Sequence, residues 1–252
     1  MIFNIIIYSM FYIIGVVLGS FFTLAIYRIP LKQDITHTRS YCPNCNHELN
    51  FLDLIPIISY LFLKGKCRYC HKKINKRYIL IEALSGALYV LLVISLKINF
   101  LQIELTNIVL LLYKSLMFSV IFIVAGIEKE KNILQTNVLS FGIIIQALYM
   151  VYLCILKLNI YRYIIYLLVM IALLLIRKKI DNLKNKDIIS FMFLLIFSFI
   201  ATNEIVSAIT LIILAIVSIT KPILKIKKQH NYLMYFCFLN ILIEIAFNFY
   251  IY

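Results

Sequence analysis

The sequence predicts an all-α polytopic membrane protein of about eight transmembrane helices, with a small cysteine-rich loop domain after the first helix. Hydrophobic residues make up 63% of the chain and charged residues 14%, against about 25% charged residues in soluble globular domains. Long uncharged runs alternate with short clusters of Lys and Arg, which is typical of helical membrane proteins. Two Cys-x-x-Cys pairs lie together after the first run, and they indicate a separate small domain there.

Eight apolar runs are candidates for helices that cross the membrane. The first, residues 3–27, has no positively charged segment before it, so we interpret it as a retained helix rather than a secretory signal. The other seven runs span residues 78–96, 103–127, 138–156, 160–176, 188–202, 205–219 and 231–250. We therefore expect three domains: 1–27, the first transmembrane helix; 28–77, a cytoplasmic tetracysteine domain; and 78–252, a seven-helix membrane domain.

The basic residues predict the orientation of these helices. If the N-terminus lies outside, the inside segments hold 21 of the 25 Lys and Arg residues. These segments are 28–77, 128–137, 177–187 and 220–230. By the positive-inside rule we expect both termini outside and the cysteines in the cytoplasm. The net charge of +14 belongs to these loops, so we expect the lipid bilayer as a partner and no nucleic acid.

The four clustered cysteines predict a zinc site. Cys42 and Cys45 form one Cys-x-x-Cys pair, and Cys67 and Cys70 form the second after an interval of 21 residues. Each pair can place two thiolates on one Zn²⁺ in a tetrahedral site, and a filled set of four thiolates indicates a structural metal. The cytoplasm keeps thiols reduced, which favours a metal over disulfides. Each pair is closely followed by a histidine, His47 or His71, which is an alternative ligand. A surface position is the simpler interpretation of both.

A short apolar segment lies between the two cysteine pairs. Residues 51–63 read FLDLIPIISYLFL, which is too short to cross a bilayer and is interrupted by Pro56. We interpret it as an interfacial or re-entrant segment that lies against the membrane.

Four acids lie within or at the ends of the apolar runs: Glu82, Glu128, Asp187 and Glu244. Ionisable groups in a membrane are costly and are by default candidates for function. Three of them also have a simpler interpretation. Glu82 can pair with Lys76 or Arg77 one turn away, Glu128 can be the first solvated residue after a helix, and Asp187 can cap the next helix.

The N-terminal third of the chain contains a series of spaced motifs within residues 14–86. They are Gly-Ser-Phe at 19–21, Tyr-Arg-x-Pro at 27–30, Arg-Ser-x-Cys-x-x-Cys at 39–45, Asp-x-Ile-Pro at 53–56, Gly-x-Cys-x-x-Cys at 65–70 and Tyr-x-x-x-Glu at 78–82. With these motifs the region resembles the type IV prepilin peptidase family of membrane aspartic proteases. The zinc loop after the first helix and the eight-helix topology agree with that family as well.

The resemblance implies a function at the bacterial cytoplasmic (inner) membrane. Members of the family cleave the basic leader of type IV prepilin or pseudopilin precursors and methylate the new N-terminus with S-adenosylmethionine. Cleavage uses two acids, and the resemblance assigns these roles to Glu128 and Asp187. Like charges about 3 Å apart cannot both ionise, so one acid acts as a base on water and the other as an acid toward the carbonyl.

The C-terminal half departs from the family pattern. Glu128 stands where the family has Asp, and Asp187 follows Lys184 and Lys186 instead of two glycines. A displaced catalytic group can cost about 100-fold in rate, and neighbouring lysines favour a charged carboxylate. A second hypothesis is therefore a catalytically impaired relative that binds prepilins or helps in their assembly. A third hypothesis is a transporter that uses the membrane acids. The sequence shows none of the inverted repeats that are common in that class.

Overall fold

The computed structural model describes residues 2–131 and 135–157, together with single positions and short pieces of the chain from residue 161 to 247. The described part is helical and contains two isolated β-bridges. The chain divides into two compact units, Met1–Ile98 and Asn99–Tyr252. The expected boundaries at residues 27 and 77 remain predictions.

The first unit contains three α-helices and two short 3₁₀ helices. α1 spans Ile2–Arg28 and is followed by a 3₁₀ turn, Ile29–Leu31. A second 3₁₀ turn, Phe51–Asp53, precedes the short helix α2, Ile58–Phe62. α3 spans Arg77–Ser95. Pro30 explains the end of α1, because proline has no N–H to donate to the carbonyl one turn before it.

α1 and α3 pack antiparallel at a seam of small residues. A Cβ added to Gly15 would lie 2.8 Å from the Cβ of Tyr89 and 2.9 Å from the Cα of Gly86. A Cβ added to Gly19 would lie 2.8 Å from the Cβ of Ser85. Such spacing, Gly-x-x-x-Gly, lets the backbones of membrane helices approach closely. The two glycines therefore determine how near the helices lie.

The second unit contains α4, Leu105–Lys131, and α5, Thr136–Ile155. Both helices carry buried apolar side chains, among them Met117 and Val124 of α4 and Leu139 of α5. The Tyr113 hydroxyl donates to Oε1 of Gln146, which is fully buried. Polar pairs of this kind hold neighbouring helices together where no water is available.

Four helical segments in the described part are long and apolar enough to cross a membrane. They are Phe3–Leu31, Arg77–Ser95, Leu105–Lys131 and Asn137–Ile155. They coincide with the first four predicted runs, so the predicted helical fold is confirmed for the described part and these four helices are candidate membrane spans. The predicted runs at 160–176, 188–202, 205–219 and 231–250 fall largely outside the described residues, so the total of eight spans remains a prediction.

Candidate metal centre and its supporting loops

The four cysteines predicted to bind a metal lie together. The Sγ atoms of Cys42, Cys45, Cys67 and Cys70 are all within 4.8 Å of one another, and those of Cys42 and Cys70 are 3.9 Å apart. Four thiolates about 2.3 Å from a tetrahedral zinc ion have sulfur atoms about 3.8 Å apart. The cluster can therefore hold a metal ion, and its geometry is compatible with zinc.

The two cysteine pairs are held by two equivalent hairpins. In the first, the N–H of Cys42 donates to the carbonyl of His47 at 3.0 Å, and the N–H of Asn46 donates to the carbonyl of Cys42 at 2.8 Å. In the second, the N–H of Cys67 donates to the carbonyl of Lys72 at 2.9 Å, and the N–H of His71 to that of Cys67 at 3.0 Å. The same bonds recur 25 residues later, a structural repeat that the sequence pattern does not predict.

Each hairpin turns at a residue with positive φ. Asn46 has φ 55° and His71 has φ 56°, a region that non-glycine residues other than Asn, Asp and His seldom occupy. Both residues are exposed. The ring of His47 lies 3.6 Å from that of Tyr69, centroid to centroid. In the part of the chain that the structure describes, the metal-binding group consists of cysteines, and the two histidines have turn and packing roles.

Hydrogen bonds favour the thiolate form of one cysteine in the cluster. Hydrogen bonds from the backbone N–H of Lys72, and then from Asn44 and the neighbouring thiols, lower the pKa of Cys70 to about 6. The N–H of His47 lowers the pKa of Cys45, but desolvation and the neighbouring cysteines outweigh it and raise that pKa to about 11. One thiolate is thus stabilised by hydrogen bonds. Four thiolates in this space require a cation.

Asp53 joins the apolar segment to the second hairpin. Its side chain is 3% exposed and accepts from Nε of Arg68 at 2.7 Å and from the Tyr69 hydroxyl at 3.1 Å. Its Oδ2 also accepts from the N–H of Asn50 at 3.2 Å, which completes a capping box. A carboxylate with these partners orients the segment against the metal-binding loops.

Arg28 anchors the first loop, a role that the sequence pattern does not predict. Its side chain is buried, and its guanidinium donates to the carbonyls of Asp34, Thr38 and Arg39 at 3.0, 2.9 and 3.0 Å. The available signal was an arginine at the end of an apolar helix, immediately before Ile29-Pro30. Such an arginine either reaches solvent or binds the chain that follows, and the sequence does not distinguish these outcomes.

The remaining loop acids have partners as well. Asp34 accepts from the N–H of Thr36 at 2.8 Å and from that of His37 at 3.0 Å. The bonds from Thr36 and His37 lower the pKa of Asp34 to about 2. Glu48 lies 3.4 Å from Arg39. The acids of the loop therefore contribute to its own structure.

The structure places the predicted catalytic acids only in part. α4 continues to Lys131, so Glu128 lies within the last turn of a helix and is not the first residue after it. The side chain of Glu128 and all of Asp187 lie outside the described residues, and so does Glu244. Their assignment therefore stays a prediction. Glu82 accepts from the N–H of Ile57 at 2.8 Å and from the Ser20 hydroxyl.

Comparison with known proteins finds similarity over the region that contains the two hairpins. Residues 13–96 match the Bacterial Peptidase A24 N-terminal domain. The prepilin leader peptidase/N-methyltransferase of Myxococcus xanthus is 42% identical over 78 residues, which are 31% of this chain and 23% of that protein. The proteins of the same name from Vibrio cholerae and Bacillus subtilis are 41% and 43% identical over 81 residues each.

The similarity is confined to the N-terminal region. The matches cover 29% of this chain and 32% of the Vibrio protein, and 32% of this chain and 33% of the Bacillus protein. The chain thus matches about a quarter to a third of the length of these relatives. No solved structure is significantly similar to it. The resemblance expected for residues 14–86 is confirmed.

Proposed function

From the peptidase A24 N-terminal domain that residues 13–96 carry, we propose that this protein is a prepilin leader peptidase. It cleaves the basic leader of type IV prepilin or pseudopilin precursors at the cytoplasmic face of the bacterial inner membrane. The observation that carries the proposal is the match of this domain to named prepilin leader peptidases at 41–43% identity. Both termini lie outside, and the cysteine domain lies in the cytoplasm.

Glu128 and Asp187 form the catalytic pair in this proposal. Glu128 lies in the last turn of a helix that can cross the membrane, directly before Lys129. The pair shares one proton, so that one carboxylate takes a proton from water while the other acid protonates the carbonyl oxygen of the scissile peptide. The longer side chain of Glu128 reaches the shared water from a shifted backbone position.

Zinc holds the loop domain together, and the segment at residues 51–63 lies against the membrane. The sulfur positions support the metal, since four thiolates and no open position are typical of a structural site. Phe51 and Phe62 are 80% and 83% exposed, and Leu52 and Leu61 are exposed too. Exposed apolar side chains in a loop between two membrane helices support the proposal that this segment contacts lipid.

Methylation of the new N-terminus is the second activity, with S-adenosylmethionine as the methyl donor. The names of the relatives support it, because they read prepilin leader peptidase/N-methyltransferase.

Co-expression with a prepilin from the same organism tests the proposal. The mass of the prepilin should fall by that of its leader, and methylation should add one methyl group. Glu128→Ala and Asp187→Ala should abolish cleavage, whereas the neighbouring substitutions Glu130→Ala and Asp181→Ala should retain it. Cleavage that persists in both active-site variants would contradict the catalytic pair.

The replaced glycines before Asp187 support one alternative. Lys184 and Lys186 remove two flexible backbone positions and bring positive charge to the carboxylate. If the intact prepilin remains uncut and co-purifies with the wild-type chain, the protein is a prepilin-binding or assembly protein.

A further inference from the structure

The two metal-binding hairpins have the same backbone geometry but differ in charge. Each contains one isolated antiparallel bridge, Tyr41 with Glu48 in the first hairpin and Lys66 with Lys73 in the second. The two bridges are equivalent, because each residue of the second lies 25 positions after its counterpart in the first. The N–H groups on either side of each bridge donate across it at 2.8–3.0 Å. In such a pair the Cα atoms lie about 4.5 Å apart and the side chains lie close together.

The first hairpin neutralises its own charges at these positions. Glu48 lies 3.4 Å from Arg39, which precedes the bridge residue Tyr41 by two positions. In the second hairpin, lysines occupy all three equivalent positions and form a lysine triad: Lys64, Lys66 and Lys73. The same three places therefore carry no net charge in the first hairpin and three positive charges in the second.

The positive charges of the lysine triad are uncompensated. All three lysines are exposed. Among the residues that the structure describes, the ion pairs involve other cations, namely His37, Arg39 and Arg68. Like charges directly opposite each other on paired strands destabilise the pairing. An anion bound between the ammonium groups of Lys66 and Lys73 removes that repulsion, so the triad favours an anionic ligand.

The lysine triad follows the exposed apolar face of α2. Ile58, Leu61 and Phe62 are 51%, 63% and 83% exposed, and Lys64 lies two residues after Phe62. This face and both hairpins belong to the loop that joins the end of α1 to the start of α3, and both of these helices are candidate membrane spans. An apolar face flanked by lysines fits the surface of a bilayer, where acyl chains lie beneath anionic headgroups.

We propose that the second hairpin binds the phosphate of an anionic phospholipid. Lys66 and Lys73 lie on either side of the headgroup, and the apolar face of α2 contacts the acyl chains. Lysine ammonium groups bind phosphate as compact point charges. The inference rests on the proposed lipid contact of residues 51–63 and adds which lipid the protein selects. The basic leader of a prepilin is repelled by the same three charges, so it is not the occupant of this surface.

An introduced tryptophan reports which lipid lies beside α2, because the chain contains none of its own. The full-length Phe62→Trp protein is placed in nanodiscs of phosphatidylcholine and phosphatidylglycerol. In one preparation the phosphatidylcholine carries brominated acyl chains, and in the other the phosphatidylglycerol does. Bromine quenches indole fluorescence on contact. At equal mole fractions, brominated phosphatidylglycerol should quench more strongly, because the lysine triad enriches this lipid at the site.

Paired substitutions in the same protein assign the preference to the second hairpin. Lys66→Gln together with Lys73→Gln should reduce the preference for phosphatidylglycerol about 25-fold, about fivefold for each lysine. Lys66→Arg together with Lys73→Arg should keep it, because the charges remain. The matched control, Lys97→Gln together with Lys157→Gln, removes two lysines that follow the ends of α3 and α5 and should leave the preference unchanged.

Three results would overturn the inference. They are equal quenching by the two lipids when all lysines are present, a preference that survives both Gln substitutions, and a preference that inorganic phosphate removes at constant ionic strength. The last result would identify a soluble anion as the ligand. Absence of quenching by either lipid would refute the proposed membrane contact of residues 51–63 as well. The readout contains no prepilin, so it is independent of whether the protein cleaves one.

Discussion

Replacement of the buried Arg28 should open the loop that leads into the metal centre. Three backbone carbonyls accept from its guanidinium at 2.9–3.0 Å, and its side chain is 4% exposed. Hydrogen bonds to charged groups contribute about 1.5–3 kcal/mol each, and contributions that share one side chain do not add fully. Since the freed carbonyls can recover some bonds with water, Arg28→Ala should lower the free energy of loop opening by about 2–4 kcal/mol.

Amide hydrogen exchange of the peptide that covers residues 28–41 measures this change. At 1.36 kcal/mol for each factor of ten, exchange should accelerate about 30-fold to 1,000-fold. Arg39→Ala is the matched control, because the Arg39 side chain is 78% exposed and lies 3.4 Å from Glu48. Exposed ion pairs contribute about 0–1 kcal/mol. Equal exchange rates in the two variants would refute the anchoring role of Arg28.

The other predictions concern the helix seam, one loop carboxylate and the metal. Gly19→Val should destabilise the first unit by about 1–3 kcal/mol through overpacking, measured by detergent unfolding, whereas Val17→Ala on the exposed side of α1 should have little effect. The pKa of Asp34 is lowered from 3.8 to about 2. Its stabilisation of the loop is therefore complete above pH 4 and should be lost as the pH falls toward 2. Exchange of this loop should show that loss in the wild-type chain and not in Asp34→Asn. Cys67→Ser should remove bound zinc as measured by elemental analysis, and Cys154→Ser, an exposed cysteine outside the cluster, should retain it. Zinc retained by Cys67→Ser would contradict the four-thiolate site.

The metal centre could be predicted from the sequence because its information is local. Each Cys-x-x-Cys pair is a tight turn whose geometry depends on a few consecutive residues, so the spacing alone indicates which four side chains meet. The first four membrane helices were predictable for a similar reason. A long apolar run without charges must satisfy its backbone hydrogen bonds internally, and a helix does so within one segment.

The tertiary structure alone decided which partners the charged residues have. Arg28 could reach solvent or bind the chain after it, and Glu82 could pair with a lysine one turn away. In the structure Arg28 binds three loop carbonyls, and Glu82 accepts from the N–H of Ile57 across 25 positions of sequence. Hydrogen bonds between distant segments depend on how the helices pack, and here that packing follows from the close contact at Gly15 and Gly19. The sequence pattern shows where a helix forms, but it does not show which other segment packs against that helix.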